Sequence, residues 1–278
     1  MTGEPELARA VAGGTLAGRV WLYSNYHCNL ACSYCLTASA PGVPRRELGP
    51  DRLMAIAGEA RDLGFTGLGV TGGEPFLLPW MPDVLAEMSE VLPVVALSNG
   101  TLFTRPRERR LRALAGRRVH IQISLDDADP DNHDADRGAG GHARALEAIH
   151  RLRELGIGVR IATTAEGFTN DRRERLCRLH RALGIDDDDH VVRPVVRRGR
   201  AAERCRGVTV GPDDLPPELT VTADGAFWSP FGPTVTDGRL DTDLLVTRTV
   251  TPLSVPAGAL MRLIQGRPRG ADAGLGIR

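Results

Sequence analysis

The chain has 278 residues, with 35 arginines and no lysine, balanced by 35 Asp and Glu for a formal net charge of zero. Without lysine there is no lysine Schiff base to pyridoxal phosphate or to a carbonyl substrate, and no GxxxxGK(S/T) phosphate loop. Zero net charge and 4% aromatic residues argue against a general nucleic-acid surface and against a stacking platform for single strands. The 42% hydrophobic and 25% charged residues are those of an ordinary soluble protein, long enough to bury a substantial core in one or two domains. There is no run of 18 apolar residues and no basic-then-apolar signal segment at the start, so no membrane partner and a cytoplasmic location are expected.

In chain order, residues 1–18 read as an N-terminal arm, too short to hold a folded peptide-recognition domain. From residue 19 to about 206, short apolar runs alternate with amphipathic stretches. The first strand is placed at Arg19–Asn25, around Val20–Tyr23. Further runs are Leu68–Thr71, Val94–Ser98, Val119–Leu125, Val159–Thr163 and Val191–Val196. They are short, rich in β-branched residues or Leu, and bounded by Gly, Asn, Asp or Pro, as buried parallel strands are. Between them lie helical stripes: Leu53, Ile56, Ala57, Ala60 and Leu63, then Val84, Leu85, Met88, Val91 and Leu92. Two more are Leu146, Ile149 and Leu152, and Leu176, Leu179 and Leu183. Gly64, Gly156 and Gly184 stand where C-terminal caps belong, and Pro93 stops the second helix. Arginine-rich segments at 105–118 and 197–206 read as solvated faces or helix ends. Repeated βα units imply right-handed crossovers. The expected fold is α/β, a partial (β/α)6 barrel, because six units fall short of a complete eight-fold barrel. Function then sits in the loops at the C-terminal ends of the strands.

Beyond 206 the texture changes. Leu219–Trp228 alternates around Asp224-Gly225 and reads as a β-hairpin; Leu244–Val250 adds a candidate strand. Residues 207–265 are therefore a C-terminal β-containing extension, and the Gly/Arg/Pro-rich tail 266–278 reads as disordered.

The chain has five cysteines: Cys28, Cys32, Cys35, Cys177 and Cys205. The odd count and expected cytosolic setting argue against a disulfide framework. Cys28-x3-Cys32-x2-Cys35 follows the first strand directly. Three thiolates on one loop can hold three irons of a cubane cluster and leave the fourth iron open. A structural zinc ion would need a fourth protein ligand; the nearest candidate, His27, adjoins Cys28 at an awkward geometry.

This cysteine spacing after a first strand, with Tyr34 before the last cysteine, resembles the radical S-adenosylmethionine (SAM) superfamily. The likeness runs from residue 19 to about 200. Thr71-Gly72-Gly73-Glu74-Pro75 follows the second strand as the family's GGEP motif does, and Ser98-Asn99-Gly100 follows the third. Ile123-Ser124-Leu125-Asp126 ends the fourth, His133-Asp134-x2-Arg137-Gly138 comes next, and Arg160 lies in the fifth. The resemblance implies a [4Fe–4S] cluster on Cys28, Cys32 and Cys35 and a bound S-adenosyl-L-methionine. Its contacts would come from Tyr34 near the adenine, Gly72, Gly73 and Glu74 at the α-ammonium, and Ser98 and Asn99 at a strand end. Ser124 and Asp126 would face the ribose hydroxyls, and Arg137 or Arg160 the carboxylate. It implies reductive cleavage of SAM to a 5′-deoxyadenosyl radical that takes a hydrogen from substrate, with an electron donor such as flavodoxin or ferredoxin. Read without the family, Gly72-Gly73 is a tight turn, Glu74 a helix-start anion, Ser98 a cap, and either arginine an ordinary ion pair. Phe76-Leu77-Leu78 and the C-terminal segment are the expected cover of the site.

Many relatives of this type carry C-terminal cysteines for auxiliary clusters. This chain has none after Cys205, so a single cluster is expected. The short arm tilts the expectation toward a small-molecule or natural-product substrate. The alternatives are a peptide-modifying enzyme and, from another class, a non-catalytic Fe–S or zinc sensor. His27, His120, His133 and His142 are candidate substrate bases, and Asp186–Asp189 a solvated loop or weak hard-cation site.

Overall fold

A computed structural model describes residues 3–236 and 239–266. Six parallel strands form its centre: β1 (Arg19–Asn25), β2 (Gly67–Gly72), β3 (Val94–Ser98), β4 (Val119–Ser124), β5 (Gly158–Ala165) and β6 (His190–Pro194). They pair in sequence order, each beside the next. Every residue of β1 after Arg19 is buried, as expected of a strand covered on both faces. The fold is α/β with a six-unit partial barrel, as its βα alternation predicts. Pro194 ends β6 two residues before the expected boundary, because it lacks the N–H that a ladder needs.

The helices follow the stripes. α1 is Glu4–Ala12, α2 Pro50–Asp62, α3 Met81–Val91, α4 the short Glu108–Leu111, α5 Pro130–Arg137, α6 Gly141–Glu154, α7 Asn170–Ala182, α8 Arg200–Glu203 and α9 Ser254–Gln265. The buried set of α2 (Leu53, Ile56, Ala57, Ala60) is the stripe read from the sequence. Besides the short α4 and α8, three longer helices lie outside the stripes read from the sequence. The expected N-terminal arm contains α1, whose Leu7 and Val11 are buried and which packs against α9. α9 buries Ala257, Leu260 and Met261, an i, i+3, i+4 stripe in a Pro/Gly-dense segment. α5 occupies the His133–Arg137 motif.

The C-terminal extension continues the same sheet. β7 (Thr220–Thr222) lies parallel to β1, β8 (Gly225–Phe227) turns back on β7, and β11 (Leu245–Thr247) pairs with β8. A separate pair, β9 (Val235–Thr236) and β10 (Arg239–Leu240), lies outside this sheet. Thr222 pairs with Gly225, so the hairpin turn is Ala223-Asp224, one residue earlier than expected. The Trp21 indole of β1 bonds to Glu218 at the mouth of this hairpin. The indole also lies over Gly69 of β2, where a Cβ would come within 2.3 Å of the ring. The hairpin thus caps the β1 edge of the sheet, an edge otherwise open to pairing. Of the expected tail, residues 267–278 lie outside the described residues.

Candidate active site

The C-terminal ends of β1 to β6 open onto one cleft of about 1020 Å³, its solvent-filled mouth included. Cys28, Cys32 and Cys35 stand on its wall with Tyr34, Gly72, Gly73, Ser98, Asn99, Ser124 and Arg137. Glu74, Asp126 and Arg160 are not among its lining residues. Each absence has a physical reason.

Glu74 is completely buried. Its carboxylate accepts from the Phe76 amide (3.0 Å), the Ser98 hydroxyl (2.9 Å) and the Asn99 amide (2.8 Å). It therefore ties the loop after β2 to the end of β3. Burial pushes its carboxyl up to about 7, against the pull of those three donors. Through Asn99 the same network reaches the cysteines, since the Asn99 Nδ2 lies 3.7 Å from Cys28 Sγ and 3.0 Å from the Asn29 Oδ1.

Gly72 and Gly73 line the cleft, but their own chain also demands glycine. A Cβ on Gly73 would fall 2.0 Å from the His27 carbonyl oxygen, and one on Gly72 2.3 Å from that of Asn25. The turn after β2 is pressed onto the start of the cysteine loop, so the close approach is to protein backbone as well as to a ligand space.

Asp126 and Arg137 form a buried pair, with Nε–Oδ2 at 2.5 Å and Nη2–Oδ1 at 3.2 Å. Asp126 also accepts from the Tyr34 hydroxyl and from the Thr164 amide (2.9 Å). Burial alone would raise this carboxyl; the adjoining Arg137 guanidinium holds it below the usual range. Burial opposes the Arg137 charge, and Asp126 keeps it firmly protonated. The Arg137 guanidinium also lies 5.4 Å over the Tyr34 ring, a cation–π geometry. Arg160 sits mid-strand on β5, opposite Gln122 in β4, and pairs with Asp189 at 3.3 Å.

The histidines lie off the cleft. His133 Nδ1 accepts from the Asp126 amide (3.2 Å), and burial followed by the Arg137 charge lowers its pKa to about 4. His142 packs edge-on against it. His27 Nδ1 is 3.8 Å from the Glu47 carboxylate, and His120 is exposed on β4. In the Asp186–Asp189 turn, Asp187 pairs with Arg181 and Asp189 with Arg160.

Sequence reasoning missed three arginines at or beside the cleft. Arg200 clamps the cysteine loop: its Nη1 donates to the Cys32 carbonyl, and its Nη2 to those of Ser39 (2.7 Å) and Ala38 (3.1 Å). Arg206 bonds Asp136 and Ser33 beside that loop and pairs with Glu166 at 2.7 Å. The arginines at 197–206 are thus partly turned inward, not simply a solvated face, because β6 delivers them against the cysteine loop. Arg193, on β6, also lines the cleft. The expected cover differs too. Phe76 is buried edge-on against Phe103 with ring centroids 4.6 Å apart, and Leu78 is buried. The apolar lining comes from Leu30, Leu36, Leu97 and Val196 and, in the C-terminal segment, from Pro230 and Phe231.

The donor set suits a polynuclear cluster. Its three cysteines are soft sulfur donors on one loop, facing one cleft. Burial pushes the Cys28 thiol up to about 12 and the Cys32 thiol up to about 11, so a bound cation is what would hold them as thiolates. The Leu30 amide (3.4 Å) and Asn99 amide already point at Cys28 Sγ, and Thr37 Oγ1 lies 3.3 Å from Cys35 Sγ. These are the hydrogen bonds to sulfur that tune such clusters.

A partial barrel whose strand ends carry three cysteines around a cleft defines a class of Fe–S protein. The family model of the radical SAM superfamily matches residues 22–180, and the chain belongs to that superfamily. It is 32% identical to an AdoMet-dependent heme synthase of Methanosarcina barkeri over 56% of this chain and 45% of that one. It is 31% identical to a PqqA peptide cyclase of Streptomyces rochei over 58% of this chain and 44% of that one. The chain spans less than half the length of these relatives. Among solved structures, native anSMEcpe with bound AdoMet superposes with a TM-score of 0.62 at 12% identity, covering 90% of this chain and 81% of that one. Streptococcus suis SuiB superposes with a TM-score of 0.56 at 18% identity, covering 68% and 42%. Both show the shared fold. No helix among the described residues is long and apolar enough to cross a membrane.

Proposed function

We propose that the chain is a radical SAM enzyme carrying one [4Fe–4S] cluster on Cys28, Cys32 and Cys35. When bound, cluster and SAM supply a 5′-deoxyadenosyl radical that takes a hydrogen atom from substrate. One observation carries the reading: three cysteines of one loop face a cleft ringed by six strand ends.

The chain's own residues then hold and shield the reactants. The backbone at Gly72-Gly73, with Ser98 and Asn99, lines the side of the cleft nearest Cys28 and receives the SAM α-ammonium. Arg137 lies on the cleft and Arg160 does not, so Arg137 receives the carboxylate, with Ser124 beside it. Asp126 is a positioning residue: engaged by Arg137, Tyr34 and the Thr164 amide, it fixes the guanidinium and the ring. The ribose hydroxyls fall to Ser124 and Thr164. Leu36, Leu97, Pro230 and Phe231 exclude water.

The substrate is a small molecule or natural-product intermediate, and the electron comes from a flavodoxin or ferredoxin. A peptide substrate is the second reading, favoured by the PqqA peptide cyclase among the relatives. The test is anaerobic reconstitution with reductant and SAM. Formation of 5′-deoxyadenosine is expected; its absence from a protein loaded with about four irons would leave the Fe–S sensor reading.

A further inference from the structure

Arg193 stands apart from the other cations of the site. It lies on β6 opposite Thr164 of β5, one residue before the strand's end, and faces the cleft beside Tyr23, Pro194 and Phe231. Its guanidinium makes no hydrogen bond and no ion pair with any described residue. Its neighbours are all matched: Arg137 to Asp126, Arg198 to Asp243, Arg206 to Asp136 and Glu166, and Arg200 to the carbonyls of the cysteine loop. The nearby carboxylate, Asp126, is already engaged by Arg137, Tyr34 and the Thr164 amide. Among the described residues no Asp or Glu lines the cleft.

A half-buried guanidinium without a counter-charge is unfavourable. Burial, and the like charge of Arg137 close by, weaken its hold on its proton. A planar fork of donors facing a cavity matches a carboxylate or phosphate in bidentate geometry. We infer that Arg193 is the anion anchor of the cleft, and that the substrate presents a carboxylate or phosphate to it while SAM occupies the cysteine side. This rests on the radical SAM reading and narrows its substrate class: a neutral sugar or neutral aromatic leaves Arg193 unmatched. A peptide substrate would offer an acidic side chain or its C-terminus.

The test is calorimetric titration of the anaerobically reconstituted, SAM-loaded enzyme with pyrophosphate and, separately, with glutarate. Expected are saturable one-to-one binding of at least one probe, loss of tenfold or more in affinity in Arg193→Gln, and partial retention in Arg193→Lys. SAM affinity and iron content should stay within about twofold of the parent in both variants, which also shows that they fold. Equal probe binding by parent and Arg193→Gln, or no binding of either probe to the parent, overturns the inference. A tenfold loss of SAM affinity in Arg193→Gln would make the anion SAM's own carboxylate and would overturn the substrate assignment. Failure of the parent to bind SAM at all strikes the radical SAM reading instead.

Discussion

Single side chains in this site act mostly on one another. Asp126 and Arg137 illustrate it, each satisfying the other away from water. Removing one charge of a buried pair strands its partner, at about 3–5 kcal/mol. Asp126→Asn keeps the shape and an acceptor, so a loss near the lower end, about 3 kcal/mol, is expected in urea unfolding, with weaker SAM binding; unchanged stability would show that the pair is not matched in solution. Glu74→Gln places an amide where three donors already point. One buried donor then lacks an acceptor, and about 1–3 kcal/mol should be lost. Cys32→Ala should take iron and sulfide from about four each per chain to near zero, and a retained cluster would refute the ligand assignment.

At the scale of elements, loops from distant strands lock the cysteine loop in place. The turn after β2 presses on it at Gly73 and the loop after β6 at Gly199, where a Cβ would lie 2.3 Å from the Leu36 carbonyl oxygen. Clashes of this depth are with backbone, so the neighbour must move. Gly73→Ala should therefore lower cluster loading while leaving the helical content by circular dichroism intact; full iron loading in that variant would count against the packing. The strand and helix stripes behind these loops were legible in the sequence because burial repeats with local period. α9 was not, because its apolar stripe is interrupted by Pro256 and Gly258, and only tertiary contact, with α1 and β11, gives it a face to bury.

For the whole molecule, proton linkage has a clear sign. Burial lowers His133 to about 4, His180 to about 3 and His190 to about 4. All three lie below the unfolded value of about 6.5, so the unfolded chain takes up protons first as pH falls. Their contribution is complete above about 6.5 and is lost progressively toward pH 4, at up to about 1.4 kcal/mol per pH unit for each. Glu74, raised to about 7, works oppositely, because its protonated form suits the buried site. Between about pH 6 and 5 these three histidines outweigh Glu74, so stability falls as pH falls. Urea midpoints at pH 7, 6 and 5 should fall in that order, and a flat profile would contradict the burial of the histidines.

The sequence by itself determined the βα order, the position of the chemistry at strand ends, and the three cysteines. These depend on periodicity and on short-range spacing within one loop. It also confined the chemistry to groups other than lysine. Tertiary structure alone decided which charged groups are free. Arg137 and Arg160 are equivalent as letters, yet one lies on the cleft beside Asp126 and the other sits mid-strand against Asp189. Arg193 has no local signal at all: its significance is the absence of a partner among the described residues, and that depends on how Asp126, far away in the sequence, is engaged when the sheet closes around the cleft. Electrostatic matching is a property of through-space distance in a low-dielectric interior, which no local pattern in the chain encodes.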